Sequence, residues 1–194
     1  GRGARYFQDH APVRGAGSAV GHAVRQFYLN AGVTDVYLET GEPALLGAMD
    51  AQWASAHERK MFLSGAFGSR HRDEAFGDDY ELPSERAYAE TCATIADLHW
   101  TWRMLLAGGS AGSATYAETI EREIHNALAA SLDASPDVDL VSVSPNCVDL
   151  LATDLTSVAV VLLDVDLGDG SDPADNVAAV TAAGPRVVLF TSEH

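Results

Sequence analysis

Residues 71–92, HRDEAFGDDYELPSERAYAETC, concentrate side chains that can transfer protons or bind a metal ion. The stretch holds nine carboxylates and arginines, together with a histidine and a thiol. Carboxyl groups and histidines act as general acids and bases, and thiolates and carboxylates are zinc ligands. The composition therefore allows two interpretations, a solvated acidic loop or a functional site.

The sequence around the start of this stretch, residues 61–83, has no helical periodicity and is typical of a long connection. Long connections within compact domains are usually either functional or disordered. Phe67, Phe76, Tyr80 and Leu82 are spaced along it, which predicts that these side chains anchor the loop to a surface. From composition alone, a solvated acidic loop with such anchors is the favoured interpretation.

Amphipathic helices are predicted on both sides of the connection. Apolar residues recur there with the period of one helical face, and Pro43 suits a first helical turn. Successive helices joined by turns predict a mainly α fold of stacked helical hairpins, as in part of an α/α toroid. The helical patterns cover residues 19–31, 43–56, 84–107 and 116–128.

Five ordered motifs connect the chain to a known family. YFQDHAPVR, VGHAVRQFYL, GSRHRDEAFGDDYELP, RAYAETCATIA and WTWRMLL resemble the non-reducing-end β-L-arabinofuranosidase family of glycoside hydrolases, the family 127 type. The resemblance runs from about Arg5 to about Asn126. It implies a partial α/α-toroid catalytic domain whose substrate is an arabinofuranoside-type carbohydrate.

The resemblance also implies a mechanism and its residues. Members of that family are retaining glycosidases in which a zinc-bound cysteine thiolate attacks the anomeric carbon, an exception to the usual pair of carboxylates. By resemblance, Glu74 is the general acid/base, and Glu90 and Cys92 are zinc ligands. The resemblance assigns substrate binding to His22. We expect further residues to line the same cleft, namely His10, Arg70, His71 and Tyr80.

Glu90 and Cys92 constrain the local backbone. They are two residues apart, which in a regular helix turns their side chains about 200° away from each other. Both can reach one ion only at a helix start or in a distorted turn, so we predict a break near residues 89–91.

The sequence lacks part of the machinery that the resemblance implies. Zinc sites use three or four protein ligands. In the family, the nucleophile and the remaining ligands come from an adjacent cysteine pair, which the 194 residues do not contain. We therefore expect that this chain alone neither binds zinc tightly nor hydrolyses an arabinofuranoside.

The character of the chain changes near residue 128. Residues 1–127 carry 11 basic and 17 acidic groups, whereas residues 128–194 carry 1 basic and 11 acidic groups. Twelve of the seventeen valines follow residue 127, in short runs that alternate with helical patterns. Strands are predicted over residues 137–143, 158–167 and 186–192. This βαβαβ order is typical of a parallel sheet. We predict two domains, residues 1–127 and 128–194, the second a partial α/β segment.

The second segment resembles a truncated receiver domain of a bacterial response regulator through VVLLDVDLGDGSDP and VVLFTS. The resemblance implies Asp164 as phospho-acceptor, Thr191 as switch hydroxyl and magnesium as cofactor. The acidic pair and the lysine that this chemistry needs are not in the sequence, so a strand-end carboxylate is the favoured interpretation of Asp164. An incomplete receiver remains the alternative function. A natural fusion, an assembly accident and a deliberate recombination would each produce this order.

Composition limits the remaining classes of function. A net charge of −16 with a single lysine, Lys60, argues against nucleic acid as a partner. No long apolar run or signal-peptide pattern is present, so we expect a soluble protein without a membrane partner, although a chain that begins at Gly1 leaves room for an upstream segment. Two cysteines do not make a disulfide framework, which indicates the cytoplasm. Uncovered helix faces and sheet edges predict a homo-oligomer.

Overall fold

The computed structural model describes residues 3–133, 139, 141–144, 146–164 and 170–190. The chain divides into two compact units, Gly1–Ser131 and Leu132–His194. The predicted mainly helical class is confirmed. The chain up to residue 133 contains 3-10 helices Ala4–Phe7, Val13–Gly15 and Arg72–Glu74, helices α1 (Ala23–Thr40), α2 (Pro43–Arg59), α3 (Thr91–Ala107) and α4 (Ser113–Arg122), and a π-helix, Glu123–Leu128, followed by α5 (Ala129–Asp133).

The starts of α1 and α2 follow from local backbone chemistry. Pro43 begins α2 as predicted, because its fixed φ suits the first helical turn. α1 begins at Ala23, four residues later than the apolar pattern predicts from Ala19. Gly21 has φ 75° and lies against the carbonyl group of Arg5, where an added Cβ would be 2.0 Å from the oxygen. The left-handed backbone of Gly21 is incompatible with a right-handed helix, so α1 does not extend further towards the N-terminus.

The third helix also starts later than its periodicity predicts. The pattern places Tyr88 inside the helix, but α3 begins at Thr91. Ala89 has φ 45° and donates its N–H to the carbonyl oxygen of Gly68 at 2.9 Å. Glu90 is the N-cap residue, with an extended ψ of 129°. The break predicted near residues 89–91 is thereby confirmed.

Aromatic packing fixes the long connection between α2 and α3. Phe27 of α1 packs against Phe67, Phe76 and Trp100, with ring centroids 4.7, 5.2 and 5.6 Å away. The predicted anchoring by Phe67 and Phe76 is confirmed, because both are buried. The predicted anchoring by Tyr80 is wrong, since this side chain is 71% exposed. Tyr80 has φ 64°, and the loop turns its ring towards solvent there.

A buried polar network links α2, α3 and the π-helix. Asp97 Oδ2 lies 2.8 Å from His57 Nε2 and accepts a hydrogen bond from Thr101 Oγ1 at 3.2 Å. His57 Nδ1 is 2.9 Å from the carbonyl oxygen of Trp53, so both ring nitrogens face acceptors. Glu123 is fully buried, and this burial, followed by the charge of Asp97, raises its pKa well above the ordinary value. Burial therefore favours the neutral form of Glu123 more strongly than that of an exposed carboxyl group.

The second unit contains a β–α–β arrangement. β1 and β2 pair in parallel, with Val160 opposite Arg186 and Asp164 opposite Phe190. Cys147 is buried. The described elements are α6 (Cys147–Leu151), β1 (Val160–Asp164), α7 (Pro173–Ala182) and β2 (Arg186–Phe190).

The predicted βαβαβ order is found in part. The strands predicted around residues 158–167 and 186–192 are observed as β1 and β2. In the strand predicted over residues 137–143, the described residues 139 and 141–143 do not form a strand, and the others lie outside the described residues. The receiver-like fold is not confirmed. The Asp164 side chain and all of Thr191 lie outside the described residues, so their phosphorylation roles and the magnesium cofactor stay predictions.

None of the helices within the described ranges combines the length and the apolar composition needed to span a lipid bilayer. Self-association, a cytoplasmic location and the exclusion of nucleic acid stay predictions. The functional identity of the two predicted domains, residues 1–127 and 128–194, stays a prediction as well.

Candidate functional site

A tight turn at residues 71–74 presents Glu74. Arg70 and Ala75 exchange backbone hydrogen bonds of 3.1 and 3.0 Å, which close the turn. Asp73 and Glu74 both have positive φ, 61° and 49°. Non-glycine residues in such conformations cost roughly 1–3 kcal/mol each and cluster at functional sites. Surrounding contacts must therefore stabilise the backbone of Glu74.

His22 provides one of these contacts. Its Nε2 lies 2.9 Å from Glu74 Oε2, and its side chain is 9% exposed, against 40% for Glu74. The N–H of Phe76 donates to the carbonyl oxygen of Gly21 at 2.9 Å, and a β-bridge pairs His22 with Ala75. Backbone and side-chain contacts thus join the start of α1 to the turn. The Glu74 carboxyl is held on one side and open to solvent on the other.

Ion pairs organise the remainder of the loop. Arg70 donates to both carboxylate oxygens of Glu81 and to Asp78, the last at 3.0 Å. The Arg70 guanidinium lowers the pKa of Glu81 to about 2, and the backbone N–H of Asp78 contributes to this shift. The connection is therefore a held loop rather than a freely solvated one.

Acid is expected to weaken this loop through Glu81. The ordinary pKa is 4.5 and the folded value is about 2, so the stabilisation is complete above about pH 4.5 and is lost as the pH falls towards 2. We expect Glu81→Gln to remove this part of the pH dependence of the free energy of unfolding. Urea unfolding followed by circular dichroism at several acidic pH values measures it. The exposed Glu85→Gln variant is the control, and an unchanged pH dependence in Glu81→Gln would contradict the assignment.

Glu90 and Cys92 meet at the start of α3. Because Glu90 precedes the first helical turn, its carboxylate and the Cys92 thiol lie near each other at the start of the helix. Burial, followed by the neighbouring Glu90, raises the pKa of the Cys92 thiol, and the charge of Glu74 adds to the effect. Glu90 Oε2 is buried and makes no hydrogen bond to any described residue. Buried carboxylate oxygens are normally hydrogen-bonded, so this atom is available to a ligand.

Tyr88 lies in the same region, although the sequence pattern predicts that it belongs to a helix. Its ring centroid is 5.2 Å from that of His71. Burial raises the pKa of Tyr88, and the charges of Glu90, Glu74 and Cys92 add to the effect. Such effects weaken with distance, so these side chains share one region of the first unit. The signal in the sequence was the place of Tyr88 directly before the predicted break.

Tyr80 and His10, which were also expected in the cleft, make other contacts. Tyr80 is exposed, and its backbone N–H donates to the carbonyl oxygen of Arg59 at 2.8 Å. His10 lines a cavity of about 200 Å³ together with Gln26 and Gln52. The substrate-binding roles predicted for His22, His71 and Tyr80 stay predictions.

The residues present do not fit a complete zinc site. The described part of the chain contains no group of three or more histidine, cysteine, aspartate and glutamate side chains that could hold a metal ion. Glu90 and Cys92 supply two donors of suitable chemistry, whereas zinc takes three or four protein ligands. Cys92 and Cys147 are both free thiols.

A family model described as β-L-arabinofuranosidase, GH127 catalytic domain, matches residues 3–138. The chain belongs to this GH127 family. It is 38% identical over 121 residues to the non-reducing end β-L-arabinofuranosidase of Bifidobacterium longum subsp. longum. The aligned residues make up 62% of this chain and 18% of that protein. The GH127 family resemblance in the sequence is confirmed.

Solved GH127 structures share the fold of the matched part. One, a GH127 β-arabinofuranosidase, has a TM-score of 0.63 at 38% identity over 66% of this chain and 20% of its own. Another, a GH127 β-L-arabinofuranosidase from Geobacillus stearothermophilus T6, has a TM-score of 0.64 at 38% identity over 68% of this chain and 20% of its own. The chain thus spans about one fifth of the length of these relatives. The matches favour the hydrolase over the receiver alternative.

Proposed function

We propose that this chain forms one wall of the catalytic site of a glycoside hydrolase that acts on arabinofuranoside-type carbohydrates. The single observation that carries the proposal is the His22–Glu74 pair, 2.9 Å apart, on a turn with two positive-φ residues. A half-exposed carboxyl that is held by a buried histidine can exchange protons with a bound ligand. The relatives are β-L-arabinofuranosidases, which supports an arabinofuranoside as that ligand.

In this proposal Glu74 acts as general acid and then as general base. Its carboxyl gives a proton to the leaving oxygen as the glycosidic bond breaks, and the resulting carboxylate later removes a proton from the attacking water. The His22 Nε2–H donates to Glu74 Oε2 and stabilises the carboxylate between these two steps. The other carboxylate oxygen, on the solvent side, is free to face the substrate.

The rest of the machinery is proposed to come from residues beyond this chain. Glu90 and Cys92 would contribute to a zinc site, but two donors cannot complete it. The retaining, zinc–thiolate mechanism needs a nucleophilic cysteine beside the metal, and the 194 residues contain no adjacent cysteine pair. The chain by itself is therefore proposed to be inactive.

Activity of the isolated chain and of a chimera tests the proposal. In the arabinofuranosidase chimera, residues 5–126 replace the aligned segment of the Bifidobacterium longum relative. We expect no hydrolysis of 4-nitrophenyl β-L-arabinofuranoside by the isolated chain, and no zinc retained after dialysis. We expect hydrolysis by the chimera, because it restores the rest of the catalytic domain. Turnover by the isolated chain, or a folded chimera without activity, would contradict the proposal.

A further inference from the structure

Lys60 is a buried cation in the first unit. It is the only lysine in the sequence, follows the last turn of α2 and is 5% exposed. Burying an ammonium group is costly unless it is paired and hydrogen-bonded. Its partners therefore indicate which parts of the fold this charge holds together.

The partners of Lys60 come from two different segments. Nζ donates to the carbonyl oxygen of Ala19 at 3.0 Å and to that of Gly77 at 3.2 Å. It also lies 3.5 Å from Asp79 Oδ1. Ala19 belongs to the segment that leads into His22, whereas Gly77 and Asp79 belong to the segment that follows Glu74. One ammonium group thus contacts both segments that carry the proposed acid/base pair.

A backbone hydrogen bond joins the same two segments. The N–H of Phe76 donates to the carbonyl oxygen of Gly21 at 2.9 Å, between the Lys60 contacts and the His22–Glu74 pair. The Ala19 N–H also donates to Ser55 Oγ at 3.3 Å, which fixes the first segment to α2. A compact ammonium suits this place, since it can point three donors at separate acceptors, whereas a guanidinium is planar and larger.

We infer that Lys60 is a positioning residue that sets the distance between His22 and Glu74 by tying their flanking segments to the end of α2. The inference rests on the proposed function of Glu74 for its catalytic consequence. Its structural consequence, the coupling of the two segments, is independent of that function.

Hydrogen exchange in the full chain tests the structural consequence. We expect Lys60→Met to accelerate exchange of the Phe76 amide roughly 10- to 100-fold, the size expected for losing hydrogen bonds to a charged group. Amides in the middle of α2, such as that of Trp53, should change much less. The control is Arg59→Met, because Arg59 also pairs with Asp79, at 3.1 Å, but is exposed. Equal acceleration of all amides, or none at Phe76, would overturn the inference.

Kinetics of the arabinofuranosidase chimera test the catalytic consequence. We expect Lys60→Met to lower kcat on the order of 10- to 100-fold with little change in KM, because misplacement of a catalytic group slows the chemical step. Arg59→Met should keep the kcat of the parent chimera. An unchanged kcat in Lys60→Met, where Glu74→Gln does lower it, would overturn the positioning role. If Glu74→Gln also has no effect, the proposed function fails, and hydrogen exchange alone decides the coupling by Lys60.

A second variant covers the case in which Lys60→Met does not fold. Lys60→Gln keeps N–H donors at this position and removes the charge. We expect faster exchange of the Phe76 amide and a lower kcat in this variant too, both by smaller factors than in Lys60→Met. Wild-type values for both quantities in a folded Lys60→Gln protein would overturn the inference.

Discussion

Replacing Glu74 by glutamine in the arabinofuranosidase chimera is expected to lower kcat by about 10²- to 10⁴-fold, the usual contribution of a general acid/base. Glutamine has the size of glutamate and can still accept the hydrogen bond from His22, which lies 2.9 Å from the carboxylate. It cannot transfer a proton to the leaving oxygen. Steady-state kinetics on an alkyl arabinofuranoside, together with thermal melting to confirm folding, measure the effect.

The matched control is Glu85→Gln, which makes the same change at an exposed residue of the same loop. We expect its kcat to stay close to that of the parent chimera. A folded Glu74→Gln chimera with nearly unchanged kcat would show that Glu74 is not the acid/base. Equal losses in Glu74→Gln and Glu85→Gln would attribute the effect to the loop as a whole.

Replacing Asp97 by asparagine is expected to lower the free energy of unfolding of the chain by about 3–5 kcal/mol, the range for removing one partner of a buried pair. Asp97 is fully buried and accepts from His57 and Thr101. Asparagine keeps the shape but removes the charge that pairs with the His57 ring. Urea unfolding near neutral pH measures the difference.

Two further variants separate charge from packing in this network. Thr101→Val removes two hydrogen bonds of 3.2 Å, the one that Thr101 Oγ1 donates to Asp97 and the one that it accepts from Trp53 Nε1, and should cost about 1–3 kcal/mol. Glu123→Gln, by contrast, should raise the free energy of unfolding at alkaline pH. The raised pKa of Glu123 gives stability that is present below the ordinary value of 4.5 and is lost as the pH rises through the folded pKa. A glutamine at this position has no proton to lose and would avoid that loss of stability. An Asp97→Asn protein with the same free energy of unfolding as the wild-type chain would contradict the account of the network.

Periodicity predicts the helices well where packing alone decides them. It fails at their starts, because contacts from distant parts of the chain decide those. Gly21 lies against Arg5, and Ala89 donates to Gly68, so that α1 and α3 begin later than their apolar patterns. Neither contact is visible in local sequence. The chemistry of zinc ligation did predict the late start of α3, because Glu90 and Cys92 are two residues apart and cannot share an ion within a helix.

The candidate site could be predicted as a set of residues but not as an arrangement. The motifs named Glu74, Glu90 and Cys92, whereas the contact of Glu74 with His22 depends on the turn that positive φ angles produce. Tyr88 falls within the helical pattern of residues 84–107, so the pattern predicts a place in a helix rather than beside the site. Lys60 had no motif at all, and its role depends on segments that only the folded chain brings together.

The dependence of the Glu74→Gln effect on the leaving group tests the central claim most directly. A methyl arabinofuranoside needs a proton on its leaving oxygen, whereas a 2,4-dinitrophenyl arabinofuranoside does not. We predict that the loss of kcat/KM in the chimera is about 100-fold or more on the methyl substrate and small on the dinitrophenyl substrate. Equal losses on both substrates would contradict Glu74 as the general acid.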